Sequence, residues 1–241
     1  SKFRRDTLYK EVPRKMALQT RIVIAASVVL VLGGTLGIMF FDRFSTVSGS
    51  EYCCGCDFRE AFFQSVTSRT AGFNTVDINS MSASSRFLLI VLMFIGGSPG
   101  SSAGGIKTVT LVVIVMTVII ALRKRQEVEI FNRSVRLVIV GRAVTVLLLF
   151  LIVFFGAVFA LSVTERGLDI NMGDMFFEAA SALGTVGLTT GITPELSSCG
   201  KLIITAVMLT GRLGPLTLLA ALTFNIKPAK FNYPEEAVIV G

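Results

Sequence analysis

A chain of 241 residues that is 52% hydrophobic and only 16% charged, with a mean hydropathy of +0.73, is short of surface charge. A soluble globular domain carries about a quarter charged residues. The formal net charge is +7, from 23 Lys and Arg against 16 Asp and Glu, and there is no histidine. No soluble domain remains to present that charge to nucleic acid, so a nucleic-acid partner is excluded and the basic residues are read as topology signals.

Residues 1–16 carry Lys2, Arg4, Arg5, Lys10, Arg14 and Lys15. A charge-free run then extends from Ile22 to Phe41, matching the roughly 20 residues that cross about 30 Å of hydrocarbon. Its apolar core is longer than the roughly 7–15 residues of a signal peptide, and it has no clear small-residue cleavage site. It is therefore a retained span. The chain begins at Ser1, and a processed chain or a piece of a longer one is expected. Next comes a polar link with Cys53, Cys54 and Cys56, whose CCxC spacing matches no ordinary zinc site. Loop cysteines or a loop staple on the oxidising side remain the readings open for them.

Phe58 to Ser68 reads as a helix too short to cross, followed by the segment Thr70-Ala71-Gly72-Phe73. Phe87 to Leu122 is too long for one crossing and is interrupted by Gly96-Gly97-Ser98-Pro99-Gly100-Ser101-Ser102-Ala103-Gly104-Gly105. Five glycines and a proline break a helix. A basic link at 123–136 precedes a second charge-free run, Ala143 to Val163, then a short stretch from Met175 to Leu183. The segment Thr185-Val186-Gly187-Leu188 follows, then an apolar run from Leu202 to Phe224 with Arg212 near its centre, and a tail at 227–241. Basic residues gather at both termini and in the middle link, which places all three in the cytoplasm.

These elements form two copies of one unit. Phe62-Phe63-Gln64 answers to Phe176-Phe177-Glu178, Thr70 to Thr75 answers to Thr185 to Thr190, and Gly96-Gly97 answers to Gly211-Arg212. A period of this length indicates duplication of a whole membrane module. The expected fold is an all-α integral membrane protein with two parallel span–pore helix–filter–span repeats at 17–122 and 137–226. Together they make half of a pseudo-fourfold, potassium-channel-like pore.

Irregular backbone at membrane depth survives only where it is buried in protein or lines water. Thr185-Val186-Gly187 reproduces the start of the potassium-channel filter, whose carbonyls replace the ion's hydration shell. Thr70-Ala71-Gly72 is its looser copy, and potassium is expected at the carbonyls of Gly72 and Gly187. Close packing between helices is the competing role for these two glycines. The glycine-rich break at 96–105 is expected to act as a gate. Arg212, an ionisable residue inside an apolar run, is expected to face the cavity. Lys107 either joins it or reaches the inner surface. Gly100 to Thr108 fails the nucleotide-loop pattern, because Ile106 stands where the lysine is needed.

The segments SRTAGFNT (68–75), GGSPGSSAGGIKT (96–108), TVGLTTGITPELS (185–197) and GRLGPLT (211–217) together resemble the KtrB, TrkH and HKT superfamily of potassium transporters. The ending KFNYPEEAVIVG looks closest to the KtrB branch. The resemblance implies four repeats in one polypeptide, with this chain as the third and fourth and the first two missing. It also implies a bacterial inner-membrane location, a homodimer, a KtrA-like cytoplasmic nucleotide-binding ring, and sodium as a second ion. No nucleotide is expected on this chain, and membrane lipid surrounds it. A conventional channel with two pore modules and a non-conducting structural subunit are the competing readings. An enzyme is not expected, since histidine and paired buried carboxylates are lacking.

Overall fold

The computed structural model describes residues 18–44, 57–101, 103–123, 128–130, 133–135, 137–168 and 170–214. Ser102, the three loop cysteines, the two termini and residues 215–226 lie outside them.

The fold is mostly helical. Helix α1 (Leu18–Phe44) and helix α5 (Leu137–Thr164) are the long ones, at 27 and 28 residues. At 1.5 Å per residue each reaches about 40 Å, enough to cross a bilayer. Both leave apolar faces outside the bundle. Val28, Val29, Leu32 and Leu36 are exposed on α1, and Leu148, Ile152, Phe155 and Phe159 on α5. Such contiguous apolar stripes are what a lipid-facing helix presents.

Helix α2 (Phe58–Thr67) and helix α6 (Met172–Gly184) are the short elements expected after each span. Neither reaches the length of a crossing. Helix α6 begins three residues earlier than its apolar pattern indicates, because Asn171 is its cap and Asp174 belongs to its first turn. A carboxylate there complements the helix dipole rather than marking a loop.

The interrupted segment divides into helix α3 (Ala83–Phe94) and helix α4 (Thr108–Leu122), preceded by a single 3-10 turn at Ile78–Ser80. Helix α7 (Ser198–Leu213) is the counterpart of α3. The middle link adds a small hairpin that an all-helical reading does not contain, β1 (Val128–Ile130) against antiparallel β2 (Arg133–Val135). Its β-branched residues favour extended backbone over a third turn of helix.

Within each repeat the short helix nests among its neighbours. Helix α1 packs on α2, α3 and α4, while α5 packs on α6, α7 and α4. The contact between α3 and α6 joins the repeats. One core cluster accordingly draws on both halves, with Leu89 and Met93 of α3 against Phe150, Phe154, Phe177 and Leu183. At the outer end of this seam the Arg86 guanidinium meets the Asp174 carboxylate at 3.1 Å.

The duplication extends to details that a hydrophobic pattern does not carry. Ser82 and Ser197, 115 positions apart, cap α3 and α7, each hydroxyl accepting from the amide three residues on. In each repeat an acid at the end of the long helix holds that cap. Asp42 Oδ1 accepts from the Ser82 amide (3.3 Å) and the Ser85 hydroxyl (2.5 Å). Glu165 accepts from the Ser197 amide (3.1 Å) and hydroxyl (2.5 Å). Both carboxylates are buried. Burial pushes the Glu165 carboxyl up, but the Ser197 hydrogen bonds and the charge of Lys201 outweigh it and hold it below the usual carboxylate range.

Candidate ion pathway

Helices α2 and α6 each end in a turn with the same unusual backbone. Thr70 (φ 69°) and Thr185 (φ 53°) are the only non-glycine residues with positive φ among the described residues. Two positions on, Gly72 (φ 74°) and Gly187 (φ 95°) are left-handed again. A threonine in this region carries a steric cost that surrounding structure must hold in place. Ala71 and Val186, between them, keep negative φ. Alternating handedness of this kind turns successive carbonyls toward one side instead of alternating them as in a strand.

Five of the six amides of the two segments donate within their own repeat. Ala71 and Gly72 N–H donate to the Thr67 carbonyl at 3.2 and 3.3 Å. Thr185 N–H donates to the Ala182 carbonyl, Val186 N–H to the Ser181 carbonyl, and Gly187 N–H to the Ser181 hydroxyl at 3.2 Å. The Thr67 hydroxyl ties down the far end of the first segment by donating to the Phe73 carbonyl at 2.6 Å. Among the described residues, no donor takes the carbonyls of Thr70, Ala71, Gly72, Thr185, Val186 or Gly187.

The two segments also touch. A Cβ at Gly72 would lie 2.2 Å from the Val186 carbonyl oxygen, and one at Gly187 would lie 3.7 Å from the Gly72 Cα. The backbones therefore approach as closely as glycine allows. Beyond them, Leu188 is buried whereas Phe73 is 72% exposed, so the first segment is the more open of the pair.

The break between α3 and α4 is a closed loop with its own fastenings. At its base Ile95 and Ile106 form a parallel bridge, with Gly96 N–H donating to the Ile106 carbonyl and Ile106 N–H to the Phe94 carbonyl, both at 2.9 Å. Thr108 N–H donates to the Gly97 carbonyl at 3.2 Å. The Lys107 ammonium turns back and donates to the carbonyls of Ala103 (2.7 Å) and Ser101 (3.1 Å). Gly104 N–H donates to the Thr185 hydroxyl at 3.0 Å, which fastens the loop to the second carbonyl-bearing segment. Gly100 and Gly105 take positive φ at the loop's corners, while Ser98 and Pro99, just before the first corner, are partly exposed.

A cavity of about 530 Å³ lies between loop, first segment and α1, lined by Thr70, Ala71, Gly97, Ser98, Ser101 and Ala103 together with Arg69 and Arg212. Arg212 differs from the sequence expectation in one respect. It stands in the last turn of α7, which closes at Leu213 with Gly214 at φ 80°, and not in the middle of a long helix. A cation at a helix C-terminus is favoured by the dipole, and Gly211 beside it packs so closely that a Cβ would lie 2.1 Å from the Leu183 carbonyl.

Arg69 is a residue of this site that sequence reasoning passed over, although it lies in the motif at 68–75. Its guanidinium donates to the Ser27 carbonyl of α1 and the Gly96 carbonyl of the loop, both at 3.4 Å. It thus links span, first segment and loop. Its signal was available, because an arginine directly after a pore-type helix is an intramembrane ionisable residue.

Two short helices ending in paired carbonyl-bearing turns, behind long apolar helices and over a glycine-rich loop, define a cation-transport membrane fold. Comparison with known proteins agrees. The family model described as cation transport protein (TrkH) matches residues 4–233, and the chain belongs to that family. The Ktr system potassium uptake protein B of Vibrio alginolyticus is 36% identical over 224 residues, covering 93% of this chain and 48% of that protein. The potassium/sodium uptake protein NtpJ of Enterococcus hirae is 35% identical over 247 residues, covering 98% of this chain and 53% of that protein. The crystal structure of the potassium transporter TrkH from Vibrio parahaemolyticus matches with a TM-score of 0.64 at 23% identity, over 85% of this chain and 44% of that one. The chain spans about half the length of the relatives it matches.

Proposed function

We propose that this chain supplies two of four walls of a potassium-conducting pore that takes up potassium across the bacterial inner membrane. The observation that carries the reading is the pair of left-handed Thr-x-Gly turns, at Thr70–Gly72 and Thr185–Gly187, lying side by side with no donor on their carbonyls among the described residues. Thr70, Ala71, Gly72 and Phe73, with Thr185, Val186, Gly187 and Leu188, form the filter. The carbonyls of Gly72 and Gly187 coordinate dehydrated potassium, each at the negative end of a short helix. The names of two relatives, a potassium uptake protein and a potassium/sodium uptake protein, support potassium as the ion and sodium as a second one.

The loop from Gly96 to Gly105 with Lys107 is the gate, and Arg212 guards the path below it. Two guanidinium groups, with no carboxylate among the described residues that line the cavity, repel a cation there while the loop is closed. Two repeats do not enclose a fourfold pore, so the remaining walls are the first two repeats of the same polypeptide, and this chain is the third and fourth. Both termini and the 123–136 link face the cytoplasm, where a nucleotide-binding ring acts on a homodimer; the Ktr relative's name, protein B of a system, supports a partner component. No nucleotide binds this chain itself.

The reading is tested by rubidium uptake in cells without their own potassium uptake, comparing Gly187→Ser with wild type in the intact protein. A weakened rubidium-over-sodium preference at equal membrane level is expected. Unchanged uptake and preference would return both glycines to helix packing.

A further inference from the structure

The two repeats differ behind their filters. In the first, Gln64 of α2 is buried, and neither of its amide atoms has a hydrogen-bond partner among the described residues. In the second, Glu178 of α6 stands at the matching place, only 5% exposed, and one of its carboxylate oxygens is engaged twice. Its Oε1 accepts from the Thr189 hydroxyl and from the Thr190 amide at 3.3 Å. The Thr189 oxygen in turn accepts from Gly191 N–H at 2.9 Å and lies 3.0 Å from the Thr193 hydroxyl. The Thr190 carbonyl accepts from the Asn79 side chain of the first repeat at 2.6 Å. A carboxylate at this depth is costly to bury, and none of its partners here is a cation.

We infer that Glu178 is a positioning residue for cation selectivity in the second repeat. It acts through Thr189 and Thr190, which follow Gly187 by two and three residues. Holding both fixes the outer end of the segment, and with it the direction of the Gly187 carbonyl. Because Thr190 is also bonded to Asn79, the brace sets that carbonyl relative to the first repeat. A filter distinguishes ions by the number and field of the carbonyls it presents, and an unbraced end lets those carbonyls rotate away.

This inference rests on the filter reading above, and its test separates the two. Rubidium and sodium uptake are measured in the intact protein carrying Glu178→Ala, Thr189→Val, both together, or Glu178→Gln, with Gly187→Ser beside them. Glu178→Ala and Thr189→Val are each expected to lower the rubidium-over-sodium preference about fivefold, the factor that one lost hydrogen bond makes in an equilibrium. The double variant should be no worse than Glu178→Ala alone. Glu178→Gln, whose amide oxygen can accept the same two bonds, should recover most of the preference. If Glu178→Ala does not reach the membrane, Thr189→Val carries the test with the same expected loss. Unchanged preference in Glu178→Ala or Thr189→Val while Gly187→Ser shifts it would overturn this inference alone. Unchanged preference in Gly187→Ser as well would overturn the filter reading with it.

Discussion

Lys107→Met measures what holds the gate shut. The ammonium makes two charge-assisted hydrogen bonds to carbonyls of its own loop, at 2.7 and 3.1 Å. Hydrogen bonds of this kind contribute about 1.5–3 kcal/mol each when shielded. The Ser101 bond is exposed, and solvent screening reduces it, so the pair together contributes about 1–3 kcal/mol. Methionine keeps the length and loses both bonds. If closed and open loops are in equilibrium, that loss multiplies the open fraction by about 5 to 150, up to the point where the open form predominates. The base bridge and the Gly104 amide on the Thr185 hydroxyl remain, so the loop should loosen without unfolding. The assay is the initial rate of rubidium uptake per transporter at saturating rubidium, with sodium competition measured alongside. A higher maximal rate with unchanged ion preference is expected. An unchanged rate at equal membrane level would refute the reasoning, and a changed ion preference would show that Lys107 supports the filter rather than the gate.

Two further outcomes follow from the geometry. Gly72→Ala places a methyl 2.2 Å from a backbone oxygen at φ 74°. It should cost about 1–3 kcal/mol in strain and abolish ion preference, as read by rubidium and sodium uptake. The depressed Glu165 carboxyl contributes stability that is fully present above the unfolded value, about 4.3. That contribution is lost as pH falls through the lower folded value. The thermal stability of the detergent-purified protein should therefore fall on acidification in that window, and Glu165→Gln should flatten that part of the profile.

Much of this arrangement is legible in the letters, for identifiable reasons. The broken segment is visible because glycine and proline punctuate it, and the two Thr-x-Gly turns are visible because they recur at one offset. Glycine at 72 and 187 is demanded by backbone conformation, which sequence records directly. Arg212 was misplaced within its helix because apolar residues continue beyond Leu213, whereas the helix itself closes at Gly214. Gly214-Pro215 does mark that end, but the apolar run on either side hides it. The start of α6 was missed because Asp174 reads as polar link until its position in a first turn and its pairing with Arg86 are known. Asp42 and Glu165 were passed over for a related reason. Each looks like a loop acid next to a span, and only the approach of a serine 40 or 32 residues away reveals it as a buried cap. Partners that distant leave no local pattern.

The central claim, that Thr70–Gly72 and Thr185–Gly187 carry the ion, is tested most directly by rubidium anomalous scattering from crystals of the intact protein. The account predicts rubidium peaks within coordination distance of the carbonyls of both segments, bounded by the Gly72 and Gly187 oxygens. Rubidium bound elsewhere along the protein, with these carbonyls uncoordinated, would contradict it.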